Sequence, residues 1–307
     1  MKILDYYKEL LHDDEIYDYL DDYLKVPSLN RIKYVGYFCG MDYASKNIYN
    51  FKEYVTRFDH SLTVALLTYK LTKDKKATLA ALFHDVATPC FSHVVDYMNK
   101  DYANQESTEE YTEKIIKEDK ELLKLLKRDK IEVDELIDFK RYPVVDNSRP
   151  RLCADRLDGI ILTGLFWTKD LNKDEIKPIL DSLELYTNED GLDEIGFNNE
   201  EIAERVVIIN ENIDLYCHSK EDNYMMELLA NITKEAIDLN IITYDNLYEM
   251  KEIDILNIIR ENSNTSLANK LNLFDNIKLE EIEELDLPYI KKRDINPLIK
   301  GKRKKEI

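Results

Sequence analysis

The chain has 307 residues, 44% of them hydrophobic, with seven glycines, seven prolines and a formal net charge of −19. The hydrophobic share suits a folded globular chain and excludes a disordered one. The negative field repels polynucleotides and so disfavours a nucleic-acid partner, and no apolar run approaches the ~18 residues that a membrane span needs, so no membrane is expected.

With few turn formers and abundant Leu, Ile, Lys and Glu, the composition predicts an all-α fold. The N-terminus, MKILDYYKELLHDDE, turns acidic too early for a signal peptide. Residues 1–50 read as short helices ending near YVGYFCGMDY. In SLTVALLTYKLT, 61–72, the residues Leu62, Ala65, Leu66 and Tyr69 have the spacing of one helix face. ATLAALFHD, 77–85, is apolar nearly all round and predicts a buried helix. Pro89 then forces a break, and FSHVVDYMN begins a third helix with Ser92 as its cap.

Residues 109–141 are heavily charged, with an apolar face from Leu122, Leu123, Leu125 and Leu126. NSRP, 147–150, is a turn, and RLCADRLDGIILTGLF follows as an apolar helix with Leu157, Ile160 and Ile161 on one side. From about residue 170 the pattern is helical and acidic, with a loop near TNEDG. The expected division is a core over 1–170 and a helical lobe over 171–307 that packs on it and is not independent. The final KKRDINPLIKGKRKKEI is basic against an acidic background. It reads as a solvated tail, with an anion-binding arm as the alternative. Cys39, Cys90, Cys153 and Cys217 form no CxxC pair, which points to a reducing cytoplasm rather than a disulfide framework or zinc knuckle.

The chemistry concentrates where the chain is greasiest. His60 stands just ahead of one apolar helix stretch, His84 and Asp85 end the next, and Asp155 lies inside a later one. Burying such groups is costly unless they are paired or bind a metal. Two imidazoles and two carboxylates form a mixed N/O set suited to a borderline divalent ion such as Mn, Fe, Co, Ni or Zn. Taken singly, a core histidine is more often bonded to a carbonyl, and a helix aspartate is usually a cap or an ion pair. The pair His12–Asp13 is an internal control: its frame is polar, so it and His218 read as surface groups.

In order along the chain, RFDHSLTVALL, ALFHDVATPCFSH and ADRLDGI resemble the motifs of the HD-domain superfamily of metal-dependent phosphohydrolases, and within it the deoxynucleoside-triphosphate triphosphohydrolase branch. LNRIKYVGYF and KKRDINPLI also look like that branch. The resemblance spans roughly residues 27 to 170. It implies an HD-domain helical core and one bound divalent metal (Mn, Fe, Co, Ni, Zn or Mg) held by His60, His84, Asp85 and Asp155. It also implies a substrate phosphate facing Arg57, with Asp158 beside the metal ligands. Two positions depart from the branch. Thr88 stands at the middle histidine of H-D-x-x-H-x-P-F-S-H, and Gln105 at the histidine of a later H-E pair, whose glutamate is matched by Glu106. Both missing imidazoles serve around the reacting phosphate in the triphosphohydrolases.

The expected function is metal-dependent hydrolysis of a phosphate ester or anhydride in a small phosphorylated substrate, a nucleotide first among them. Glu106 and then Asp96 are the expected groups to orient or deprotonate water, with His93 protonating the leaving oxygen. Arg57, Thr88 and Gln105 are the expected substrate contacts. The alternative is a degenerate relative that binds a nucleotide or metal as a sensor or scaffold. A di-iron oxygenase would need histidines that Thr88 and Gln105 replace. Relatives in this superfamily often assemble, so a homo-oligomer is an open expectation.

Overall fold

The computed structural model describes residues 1–105, 109–287 and 289–304. Its described residues form sixteen α-helices, 57% of the chain being helical, with one small sheet. The all-α expectation holds. The helices are α1 Ile3–Leu10, α2 Asp14–Leu20, α3 Pro27–Ile32, α4 Arg57–Thr72, α5 Lys75–Phe83, α6 Val94–Asn99, α7 Thr112–Glu118, α8 Lys120–Asp129, α9 Asp134–Ile137, α10 Ala154–Phe166 and α11 Lys173–Asp181, followed by α12 Glu200–Cys217, α13 Lys220–Asp238, α14 Asn246–Glu249, α15 Glu252–Asn262 and α16 Thr265–Asn276. Among the described residues, no helix is long and apolar enough to cross a membrane.

Helix α4 is the central post. Thr56 Oγ1 accepts from the Asp59 amide while the Asp59 carboxylate accepts from the Thr56 amide, a reciprocal cap that fixes where the helix begins. Its apolar stripe suggests one buried face, yet every position from His60 to Tyr69 is buried. The reason is that α4 packs against both α5 and α10. The polar positions on the remaining faces are satisfied locally: Thr63 and Thr68 donate their hydroxyls to carbonyls one turn back.

Helix α5 starts on Asp74, whose carboxylate accepts from the Lys76 and Ala77 amides. It stops at Phe83, leaving His84 as its C-cap and Asp85 in the turn that follows. Ser92 does not cap the next helix. It and Phe91 have left-handed backbones, with φ of 48° and 64°, and α6 begins only after His93. Such backbone strain persists only where its surroundings hold it. Here Phe91 N donates to Glu252 Oε1 at 2.7 Å, and Gly36 N donates to the other oxygen of the same carboxylate at 3.0 Å.

Two buried apolar clusters organise the interior. One gathers α1 to α5, α8, α10, α11 and α12; the other joins Val35, Met41, Phe91 and α6 to α13, α15 and α16. A cavity of about 550 Å³ takes residues from both, among them Phe38 and Ile213 from the first and Met41 and Met226 from the second.

Strands β1, Leu183–Thr187, and β2, Asp193–Phe197, form an antiparallel hairpin pairing Leu183 with Phe197 through Thr187 with Asp193. TNEDG is its tip: Asn188 Oδ1 accepts from the Asp190 and Leu192 amides, and Gly191 takes φ +76°. The C-terminal segment returns to this hairpin. β3, Leu298–Ile299, pairs parallel with β2, and β4, Lys302–Arg303, pairs with β3. A Cβ at Gly196 would lie 2.5 Å from the Leu298 carbonyl oxygen, so only glycine lets the segment dock this closely. The solvated-tail reading therefore fails for 291–304: Ile295, Pro297 and Leu298 are buried, and Lys291 and Arg293 line the cavity.

Candidate metal centre

Three helix ends deliver the expected ligands to one point. His60 lies in the first turn of α4, His84 caps α5, and Asp155 lies in the first turn of α10. His60, His84 and Asp155 each offer a ligand atom, and these atoms lie within 4.8 Å of one another. Asp155 Oδ1 is 3.0 Å from His60 Nε2 and 3.5 Å from His84 Nε2. Asp85 presents its two oxygens to the same atoms, Oδ2 at 3.8 Å from His60 Nε2 and Oδ1 at 3.8 Å from His84 Nε2.

The far side of each ring is tied down. His60 Nδ1 bonds Asp158 Oδ2 at 2.7 Å, and the Tyr7 hydroxyl donates to Asp158 Oδ1 at 2.6 Å. Asp158 is fully buried and one turn beyond Asp155 on the same face of α10. His84 Nδ1 donates to the Ala81 carbonyl at 2.7 Å. With both Nδ1 atoms held this way, both Nε2 atoms are aimed at the shared point, the arrangement by which outer partners orient imidazole ligands.

Electrostatics favour a cation there. Burial alone would depress both imidazoles, but Asp155 and Asp158 lift His60 to about 10, and Asp85 and Asp155 raise His84. Burial would raise the carboxylates, yet His84 and Arg57 pull Asp85 down and the two histidines pull Asp155 down. His84 Nε2 is buried with no hydrogen-bond partner among the described residues, a costly state for a polar atom. A divalent ion fits this donor set: two imidazole nitrogens and two carboxylates, converging and pre-oriented.

Arg57 stands beside the centre. Nη1 donates to Asp85 Oδ2 at 2.9 Å and Nε donates to Ser92 Oγ at 3.1 Å, while the guanidinium lies 4.9 Å from the Tyr37 ring centroid. Nη2 has no protein partner among the described residues. Burial would lower Arg57, but Asp85 outweighs it and keeps the group charged.

The other expected residues separate. His93 lines the cavity, its Nδ1 bonded to Asp96 Oδ2 at 2.8 Å. Burial pushes His93 below its ordinary value, against the pull of Asp96. Asp96 is fully buried behind His93 and is not among the residues that line the cavity. Thr88 is also buried and off the cavity wall; its carbonyl accepts from Arg31 Nη2 at 2.6 Å. Gln105 does line the cavity and accepts from Arg293 Nη2 at 3.0 Å. Glu106 lies outside the described residues.

Sequence reasoning missed several cavity groups. Asp146 sits within 4.8 Å of Cys153 and Asp155, and burial and Asp155 raise its pKa. Its only sequence signal is one acid after the apolar PVV. Aromatic rings also line the cavity. Phe38 and Phe51 stack with centroids 4.3 Å apart and planes 7° off parallel, and Trp167 meets both edge-on. These rings come from three separate stretches, which no local pattern joins.

Residues 57–161, the stretch from Arg57 through Asp155 that supplies the whole candidate centre, match the HD domain family. The Bacillus subtilis (strain 168) protein YdhJ is 30% identical over 258 residues, covering 82% of this chain and 74% of that protein. The metal-dependent phosphohydrolase cns2 of Cordyceps militaris is 20% identical over 257 residues, 79% of this chain and 70% of that protein. The crystal structure of a hypothetical protein from Aquifex aeolicus shares the fold, with a TM-score of 0.58 at 17% identity over 82% of this chain and 69% of the other.

Proposed function

The chain belongs to the HD-domain family, and on that premise we propose that it is a metal-dependent phosphohydrolase acting on a nucleotide or related phosphate ester or anhydride. One observation carries the reading. His84 Nε2, buried and unpartnered, meets His60 Nε2, Asp85 and Asp155 at one wall of a cavity large enough for a nucleotide-sized ligand. Similarity to a metal-dependent phosphohydrolase supports it.

His60, His84, Asp85 and Asp155 would hold the metal, which when bound supplies Lewis-acid polarisation of a phosphoryl oxygen and nucleophilic water near neutral pH. The protein's own groups do the rest. Phosphoryl transfer needs positioning and charge neutralisation above all. Arg57, fixed by Asp85 and Ser92, offers Nη2 to a phosphoryl oxygen. His93, whose pKa burial lowers and whose Nδ1 bonds Asp96, would take a proton through Nε2 from water or an oxygen in the cavity. The apolar aromatic cluster of Phe38, Phe51 and Trp167 would pack against a base. Thr88, off the wall, takes no direct part.

The test is incubation of the pure protein with Mn and a panel of nucleotides, measuring released phosphate. Turnover of at least one nucleotide, lost on chelation, is expected. Retained nucleotide binding without any turnover would instead favour a sensor or scaffold.

A further inference from the structure

Six cationic side chains line the cavity, and they divide into two kinds. Arg57, Lys140 and Arg156 each have a carboxylate partner: Asp85 at 2.9 Å, Glu109 at 2.9 Å and Asp146 at 3.4 Å. Arg149, Lys291 and Arg293 have none within ion-pair distance among the described residues. Neutral oxygens hold them instead. Arg149 Nη1 donates to the Asp294 carbonyl at 2.9 Å, Lys291 Nζ to the Asn104 carbonyl at 2.9 Å, and Arg293 Nη2 to Gln105 Oε1 at 3.0 Å. Such contacts fix where a cation points without cancelling its charge.

Arg293, itself kept charged by its neighbours, crowds the other two. Burial and the nearby Arg156 and Arg293 bring Arg149 down to about 10, and burial with Arg293 and Arg149 lowers Lys291. Arg293 Nε is buried with no hydrogen-bond partner among the described residues. The backbone beneath is locked: Arg293 N donates to Asp214 Oδ1 at 2.6 Å, and its carbonyl accepts from Asn210 Nδ2 at 2.5 Å, both on α12. The chain has 62 acids and a net charge of −19, and Asp146 and Asp222 line the same cavity, yet among the described residues no carboxylate forms an ion pair with any of the three side chains. Left alone, such clustering is unfavourable; an anion in the cavity relieves it.

We propose that Arg149, Lys291 and Arg293 form an anion subsite, apart from the metal ligands, that binds a second phosphoryl group of the substrate. The chain's substrates then carry at least two phosphates, one at the metal wall and one on the trio. The substrate assignment rests on the hydrolase reading; the anion subsite itself does not. Gln105 and Asn104 serve as positioning residues for Arg293 and Lys291.

Calorimetric titration of metal-free protein with inorganic tripolyphosphate tests the subsite without turnover. Binding is expected for the wild type, weakening with added salt. Arg149→Gln/Lys291→Gln should weaken it on the order of tenfold or more, with the circular-dichroism spectrum and Mn binding unchanged. Lys291→Ala alone, at a half-buried position, is the second variant should the double one misfold, with a smaller loss expected. No binding by the wild type, or equal affinity in the variants, overturns the subsite. With Mn present, the double variant should raise KM for nucleoside di- and triphosphates and leave that for monophosphates in place. An equal rise for all three overturns the assignment to a second phosphoryl group. Tripolyphosphate binding that the variants weaken, with no turnover of any nucleotide, sinks the hydrolase reading and leaves the subsite standing.

Discussion

On the wall built by α4, α5 and α10, His60, His84 and Arg57 each face a carboxylate at 3.8 Å or less, and the two carboxylates facing the centre are pulled toward their charged form. On the wall built by the 147–150 turn and residues 290–293, the hydrogen bonds of Arg149 Nη1, Lys291 Nζ and Arg293 Nη2 among the described residues go to carbonyl and amide oxygens. The first wall has negative charge ready for a metal; the second has positive charge ready for an anion. A single cavity with opposite poles suits a ligand that is anionic at more than one point and meets a cation at one of them. The two walls also differ in how they are held. The metal wall hangs on the ends of α4, α5 and α10, and the cationic wall on contacts between segments far apart in the chain.

The sharpest way to break this contrast is at the metal pole. His84→Ala or Asp85→Ala is expected to abolish metal binding and with it any phosphate release, read by elemental analysis and the phosphate assay. Full metal occupancy in both would remove the basis of the centre. A milder cut is Asp158→Asn, which keeps the shape but removes the charge that orients His60 through Nδ1. Mn affinity should fall about 10–100-fold by titration, while the cationic wall keeps its response to tripolyphosphate.

A third test addresses the Glu252 carboxylate that holds the Gly36 and Phe91 amides. Burial pushes Glu252 up to about 8 and nearby Asp42 up to about 7. Both folded values lie above the ordinary carboxylate range of about 4. The protonated forms therefore contribute stability that is full below about pH 4 and is lost as pH rises through 7 to 8. Scanning calorimetry between pH 6 and 9 should show a falling Tm. Glu252→Gln should start lower, because an amide cannot accept from both Gly36 and Phe91, and should show a flatter decline. A decline as steep as the wild type's would exclude Glu252 as its source. The smallest effect is expected from His12→Ala. His12 is exposed, and its side chain meets the exposed Asp14 carboxylate and the Tyr17 ring, so Tm should stay within about 2 °C and Mn binding should not change.

The metal wall was legible because its signals are local. An imidazole beside an aspartate in an apolar frame, closing a helix that begins on Asp74, reads directly from residues 74–85. Asp155 reads the same way inside its apolar helix. Ser92 misled because cap chemistry and arginine anchoring ask for the same hydroxyl, and only the left-handed turn at Phe91 and Ser92 decides between them. Lys291 and Arg293 looked like a solvated tail because charge alone says nothing of where a segment lies. Their place depends on Asp214, Asn210 and the docking of Leu298 at Gly196, contacts spanning some 80 to 100 residues. The hairpin at 183–197 was hidden by its length, five residues a strand inside an otherwise helical pattern.

The parallel pairing of Leu298–Ile299 with Gly196–Phe197 has a consequence for biosynthesis. A ribosome releases His60, His84 and Asp155 long before it releases Arg293, so the metal pole can assemble on a nascent chain whose opposite pole is still unmade. The chamber becomes whole only when residues 291–299 emerge and Leu298–Ile299 pair with β2. Premature termination anywhere between α16 and Lys291 would thus leave a protein able to collect its ion but open on the side where Lys291 and Arg293 belong.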